Sequence, residues 1–248
     1  MIEAVLFDGD QTLWDFQRVM RDALIAIADE LRRARPGPFT DALQWQDLEC
    51  DRAEVGDELN GVEYNLARLR VLGFARTLRR HREEEGGDES EDAVLAQRLV
   101  TWYFRHRDGD PALFDDTIPC LDALRSRYRL GLLSNGSRLP DTVGLGGYFE
   151  SVVFAQDHQV AKPEKGIFEI VEREMAVSPG GCVLVGDHPF NDVVGAKRAG
   201  WWAVWLDRDG DGIFDRVAEG DTTQPDAAIT SLVELSLALE CLDATSRS

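Results

Sequence analysis

The chain has 248 residues, 44% of them hydrophobic and 29% charged, a balance that suits one large globular domain or a core with a smaller insert. A formal charge of -19 makes nucleic acid and acidic membrane poor partners, because affinity for either depends on neutralising anionic groups. The longest apolar runs, such as Trp201 to Leu206, fall far short of the roughly 20 residues that span a bilayer; with no signal-like N-terminus and four widely spaced cysteines (Cys50, Cys120, Cys182, Cys241), a cytoplasmic protein with reduced thiols is expected.

Glu3 to Phe7 is a short apolar run that ends in an acidic turn, which reads as a buried strand feeding a loop. The character then changes. Phe16, Val19, Met20, Ala23, Leu24, Ile27 and Leu31 recur at three and four residue intervals, as on one face of a helix. Helical patterns follow at about Asp41 to Val55, Val62 to Arg82 and Glu91 to His106. Pro36-Gly37-Pro38 separates the first two helices and Gly86-Gly87-Asp88-Glu89-Ser90 the last two, so a four-helix insert is expected. The run Trp102-Tyr103-Phe104 is too continuous to face one side and is assigned to packing the insert onto the core.

Apolar strand-like runs resume at Arg129 to Leu133, Val152 to Phe154, Cys182 to Val185 and Trp202 to Leu206. Helical spacing fills Cys120 to Tyr128, Lys165 to Met175, Phe190 to Ala199, stopped by Gly200, and Ser231 to Leu242. Alternating strands and helices predict an α/β fold, a doubly wound parallel sheet covered on both faces. The expected domains are a core of residues 1–15 and 108–248 and a helical insert of residues 16–107. Ligands of such sheets sit outside the carboxyl ends of the strands, so an insert rooted after the first strand would cover the ligand site.

Four segments at strand ends carry candidate chemistry. In Phe7-Asp8-Gly9-Asp10-Gln11-Thr12, extended alternation points Asp8 and Asp10 to one side, and Gly9 lets backbone approach a ligand closely. Adjacent carboxylates repel and need a metal or a shared proton; the plain alternative is an acidic loop capping Thr12. Leu133-Ser134-Asn135-Gly136 can offer hydroxyl and backbone donors to an anion, or be an ordinary turn. Lys162 follows a strand in a chain with only three lysines, and its ammonium reaching a cleft would neutralise phosphate and carboxylates. In Val185-Gly186-Asp187-His188-Pro189-Phe190-Asn191-Asp192, Asp187 is placed for a metal and Asp192 for the helix dipole.

Together these segments resemble the haloacid dehalogenase superfamily, whose motifs stand here in order: Asp8, Asp10 and Thr12; Ser134; Lys162; and Asp187 with Asp192. The helical insert resembles the family's C1 cap, and Gln11 stands where many members have Gly, which bears on local loop geometry. The resemblance implies a Rossmann-like core and a Mg2+-dependent phosphatase of a small phosphorylated metabolite. By it Asp8 is the nucleophile, and Asp10 the general acid and base. Asp8, Asp187 and the Asp10 backbone carbonyl are metal ligands; Gly9, Ser134, Asn135 and Lys162 bind phosphate; and Asp192 supports the metal's waters or orients Lys162. Dehalogenases of the superfamily lack an acid at the position of Asp10, which argues against carbon-halogen cleavage. A sugar phosphomutase and a non-catalytic phosphometabolite-binding protein are the alternatives. The protein is expected to be a monomer or a homodimer.

Weaker signals are Asp207 to Asp215, which imitates part of an EF-hand loop but has Ala218 where the bidentate Glu belongs and is read as a solvated turn. His188 is left between substrate contact and helix cap, Trp14 and Asp15 between pocket mouth and hinge, and Arg138 is read as surface.

Overall fold

The computed structural model describes residues 1–59, 65–108, 112–208, 210 and 222–245. The chain forms two compact units, Met1–Asp15 with Pro111–Ser248, and Phe16–Asp110.

The first unit is built on six parallel strands: β1 (Ala4–Phe7), β2 (Arg129–Ser134), β3 (Ser151–Phe154), β4 (Cys182–Gly186), β5 (Trp202–Leu206) and β6 (Ala227–Ile229). Their order is β3-β2-β1-β4-β5-β6. β1 lies between β2 and β4, with Leu6 opposite Gly131 on one side and Leu184 on the other. All four residues of β1 are buried, as expected of a central parallel strand covered on both faces, where apolar residues run without alternation. Gly131 allows the close approach, since a Cβ there would lie 2.3 Å from the Leu6 side chain. The strand order reverses at β1, and that switch point opens a crevice at the carboxyl ends. β6 is a finding the apolar pattern does not foretell: three residues, two of them alanine, give too little signal for a strand.

The second unit is helical: α1 (Phe16–Ala34), α2 (Pro38–Ala42), α3 (Trp45–Glu58), α4 (Leu66–Glu85) and α5 (Glu89–Asp108). α1 buries Val19, Ala23, Leu24, Ile27, Ala28 and Leu31, the face its periodicity marks. α2 is unforeseen. Pro38 stands in its first turn, where a missing N–H costs nothing, so the Pro-Gly-Pro break is also a helix start. Asn65 caps α4 by accepting from the Arg68 N–H at 3.0 Å; the expected start near Val62 lies outside the described residues. The unit's core gathers Leu24, Ile27, Leu48, Phe74, Leu99 and Tyr103. Tyr103 is buried with Arg70 4.5 Å above its ring, and Trp102 and Phe104 pack half-buried on the same cluster. That aromatic run therefore packs within the helical unit's own core. Rings about 100° apart on a helix reach three parts of one bundle interior.

Back in the sheet unit, α6 (Thr117–Leu124), α7 (Ala155–His158), α8 (Lys165–Met175), α9 (Gly195–Ala199) and α10 (Leu235–Thr245) follow the strands. A π-helical turn, Pro189–Val194, precedes α9, so the segment read as one helix from Phe190 has a wide first turn. A capping box of Ser231 and Glu234 leads into α10. Among the described residues no helix is long and apolar enough to cross a membrane.

Candidate active site

The turn after β1 is held by its own backbone. The Asp8 N–H donates to the Val185 carbonyl at 2.9 Å, extending the β1–β4 pairing by one residue. Leu13 and Trp14 N–H groups then fold back on the Gly9 carbonyl at 2.9 and 3.3 Å. Gln11 sits at φ 63, in the left-handed region where glycine is unstrained and a side chain is not. This is the geometric reason a glycine suits that position.

Asp8 emerges 7% exposed, facing Lys162, which is 3% exposed. The Lys162 Nζ donates at 2.6 Å to Asp8 Oδ1 and at 2.6 Å to Asp192 Oδ1. Lys162 is fixed from β2: the Asn135 side chain donates to the Lys162 carbonyl and accepts from its N–H, each at 2.9 Å. Asn135 was expected to bind phosphate; this reciprocal clasp is a side-chain role the sequence does not reveal. Ser134, 1% exposed, ends β2 and accepts from the Gly136 N–H at 3.0 Å.

The other flank comes from β4. Asp187 follows Gly186, and its backbone carbonyl accepts from the Trp205 indole at 2.8 Å. Asp192 turns its second oxygen to the His188 N–H at 2.9 Å, so one carboxylate bonds both the ammonium and the backbone ahead of the turn. Gly186 makes room for it, since a Cβ there would lie 2.3 Å from Asp192 Oδ2. His188 Nδ1 accepts from the Asn191 N–H at 3.2 Å, so this histidine caps the turn.

Asp8, Asp187 and Asp192 each present a carboxylate oxygen within 4.8 Å of the others. Burial pushes the Asp8 carboxyl up to about 7; Lys162 opposes this, and Asp192 and Asp10 add to it. Burial likewise raises Asp187 well above the usual carboxylate range, helped by the charges of Asp8 and Asp192. Burial works against the Lys162 ammonium, but Asp192 and Asp8 outweigh it and hold the charge. Three acids around one ammonium leave negative charge uncompensated, and an all-oxygen donor set of this kind fits a hard divalent cation.

The Asp10 side chain is not in that trio. Its Oδ1 accepts from the Trp14 Nε1–H at 2.6 Å, and its Oδ2 lies 2.5 Å from where a Gly136 Cβ would stand. What presses on Gly9 is the Trp14 ring, 2.4 Å from a hypothetical Cβ. Trp14 itself is 1% exposed, a core residue more than a pocket mouth.

Two arginines are placed by tertiary structure alone. Arg138, read from sequence as surface, is 3% exposed. Arg208 donates to the carbonyls of Gln11 (3.2 Å) and Thr12 (2.6 Å), pairs in two bonds with Asp116 (3.0 and 3.1 Å) and stacks 3.8 Å from the Phe114 ring. Burial opposes it, but hydrogen bonds from Arg208, Ser231 and Leu232 hold Asp116 below the usual carboxylate range. Its place just past the end of β5 was the available sequence signal. In the EF-hand-like stretch, Asp207 Oδ1 accepts from the Gly210 N–H at 3.1 Å; residues 209 and 211–221 lie outside the described residues.

The model of the haloacid dehalogenase-like hydrolases matches residues 2–200. N-acylneuraminate-9-phosphatase of Mus musculus is 26% identical over 98% of this chain and 95% of its own. Glyceraldehyde 3-phosphate phosphatase of Methanopyrus kandleri is 30% identical over 84% and 85%. Among solved structures, a 2-haloacid dehalogenase from Pseudomonas syringae superposes with a TM-score of 0.75 at 28% identity, covering 97% of this chain and 99% of that one.

Proposed function

This chain belongs to the haloacid dehalogenase-like hydrolases, and from its site we propose that it is a magnesium-dependent phosphatase acting on a small phosphorylated metabolite through an aspartyl phosphate on Asp8. The observation that carries the reading is the charge imbalance around Asp8, with three carboxylates gathered within 4.8 Å and Lys162 bonded to two of them.

Asp8 and Asp187, with the Asp10 backbone carbonyl, would hold the cation; Asp192 stays fastened to Lys162 and to the His188 N–H, supporting from outside. Bound there, magnesium supplies positive charge that offsets repulsion between the attacking carboxylate and the phosphoryl oxygens. Lys162, Ser134 and the Asn135 backbone hold those oxygens as charge shifts. Asp8 attacks phosphorus, and Asp10 protonates the departing alkoxide. Asp10 then takes a proton from the water that hydrolyses the acyl phosphate. The helical unit is read as a C1-type cap, the part of the chain that selects the substrate.

The likeness to a dehalogenase does not decide the chemistry, because a halide leaves as a weak base and needs no proton, whereas an alkoxide does. An acid two residues beyond the nucleophile serves only the second case. The test is hydrolysis of p-nitrophenyl phosphate with magnesium. Activity is expected to vanish with EDTA and in Asp8→Asn, with no chloride released from 2-chloropropionate. Undiminished turnover by Asp8→Asn, or chloride release, overturns the reading.

A further inference from the structure

Trp14 takes no part in the steps above, yet it is built into the turn that carries them. Its indole lies over Gly9, where a Cβ would come within 2.4 and 2.7 Å of the ring, and its N–H and carbonyl bond to Gly9 and Gln11. The ring, 1% exposed, is thus packed directly on the turn that bears Asp8. Its Nε1–H points at Asp10 Oδ1 at 2.6 Å.

An indole nitrogen donates and never accepts. The Asp10 oxygen facing it is thus fixed as an acceptor, and a proton placed there would oppose the N–H. We propose that Trp14 is a positioning residue for Asp10: it holds Oδ1 as an acceptor and so assigns proton transfer to Oδ2, the oxygen lying against Gly136. The assignment rests on the phosphatase reading.

The protons balance. As the Asp8–phosphorus bond forms and the ester bond breaks, the leaving oxygen takes the proton from Oδ2. Water then bonds to phosphorus, releases Asp8 and returns a proton to Oδ2. Alcohol and phosphate depart, and the Trp14 N–H is unchanged throughout. A carboxyl group free to turn would offer either oxygen, and reaction would wait on the right one.

The test reads kcat/KM, which ends at departure of the leaving group, across p-nitrophenyl, phenyl and p-methoxyphenyl phosphates. Nitrophenolate leaves without a proton; the others need one increasingly. Trp14→Phe is expected to lower kcat/KM by about 10-fold or more for p-methoxyphenyl phosphate and by less than about threefold for p-nitrophenyl phosphate, a scale set by general acid catalysis. In an Asp10→Asn background the same substitution is expected to change little, because its effect passes through the acid. An equal loss on all three esters, or an undiminished loss in the Asp10→Asn background, overturns the assignment and leaves the phosphatase reading intact. No turnover of any ester by the wild-type protein overturns both. Should Trp14→Phe fail to fold, indole N–H resonances of 15N-labelled wild type and Asp10→Ala decide: one of the six tryptophan signals moves if the bond exists, and six unmoved signals overturn it.

Discussion

In the helical unit Asp51 is 2% exposed and is met by the Thr77 hydroxyl at 2.7 Å and by Arg80 at 3.0 and 3.1 Å; in the sheet unit Asp8, 7% exposed, shares the Lys162 ammonium with Asp192 while Asp187 stands within 4.8 Å. Both units bury carboxylates. One matches each charge where it lies, and the other crowds like charges together at the end of a buried strand. The first arrangement fastens helices α3 and α4. The second leaves a deficit that only an added cation or a proton removes, the mark of a site kept for a ligand at some cost in stability.

The sharpest way to break this comparison is Asp8→Asn. Activity is expected to fall at least about a thousandfold, the scale on which removal of a nucleophile acts, while the thermal midpoint measured in EDTA holds or rises because a crowded charge is gone. A drop in midpoint would mean Asp8 is structural. Lys162→Met removes the ammonium and strands Asp8 and Asp192; a loss of about 3–5 kcal/mol in urea unfolding is expected, partly recovered by magnesium. In the helical unit, Asp51→Ala is expected to cost about 2 kcal/mol, leaving Thr77 and Arg80 without their acceptor, and magnesium is expected to recover none of it. Recovery there would erase the distinction.

A further effect is in pH. Asp8 is raised from 3.8 to about 7 in the folded protein, so between those values the folded chain holds a proton that the unfolded chain has lost. Stability contributed by this group is complete below about pH 4 and is lost as pH rises toward 7, at up to about 1.4 kcal/mol per pH unit. In EDTA the wild-type midpoint should therefore fall across this window, with a shallower slope in Asp8→Asn. Equal slopes would remove Asp8 from the account.

Asp8 and Asp187 were readable because each follows a short apolar run, and strand ends of a parallel sheet are where ligands bind. Lys162 was readable from its rarity in an arginine-rich chain. Trp14 was visible as a residue but not as a donor to Asp10, since its contact depends on a turn that folds back over Gly9. Arg138 and Arg208 were hidden for a related reason: no local pattern tells an enclosed arginine from a solvated one when distant parts of the chain enclose it. β6 and α2 escaped because three and five residues carry too little periodicity to register.

The Arg208 clamp has a bearing on how the protein comes into being. The loop that carries Asp8 precedes its brace by a long stretch of chain: Gln11 is gripped by a residue 197 positions later, and the Asp116 that steadies this grip is itself bonded to Ser231 and Leu232, 115 and 116 positions on. A ribosome-bound fragment that has made the chain through α9 holds every acid of the site without its brace. The bracing of the acidic cluster thus waits on residues made well after its acids, a timing set by how far apart in the chain the contacting residues stand.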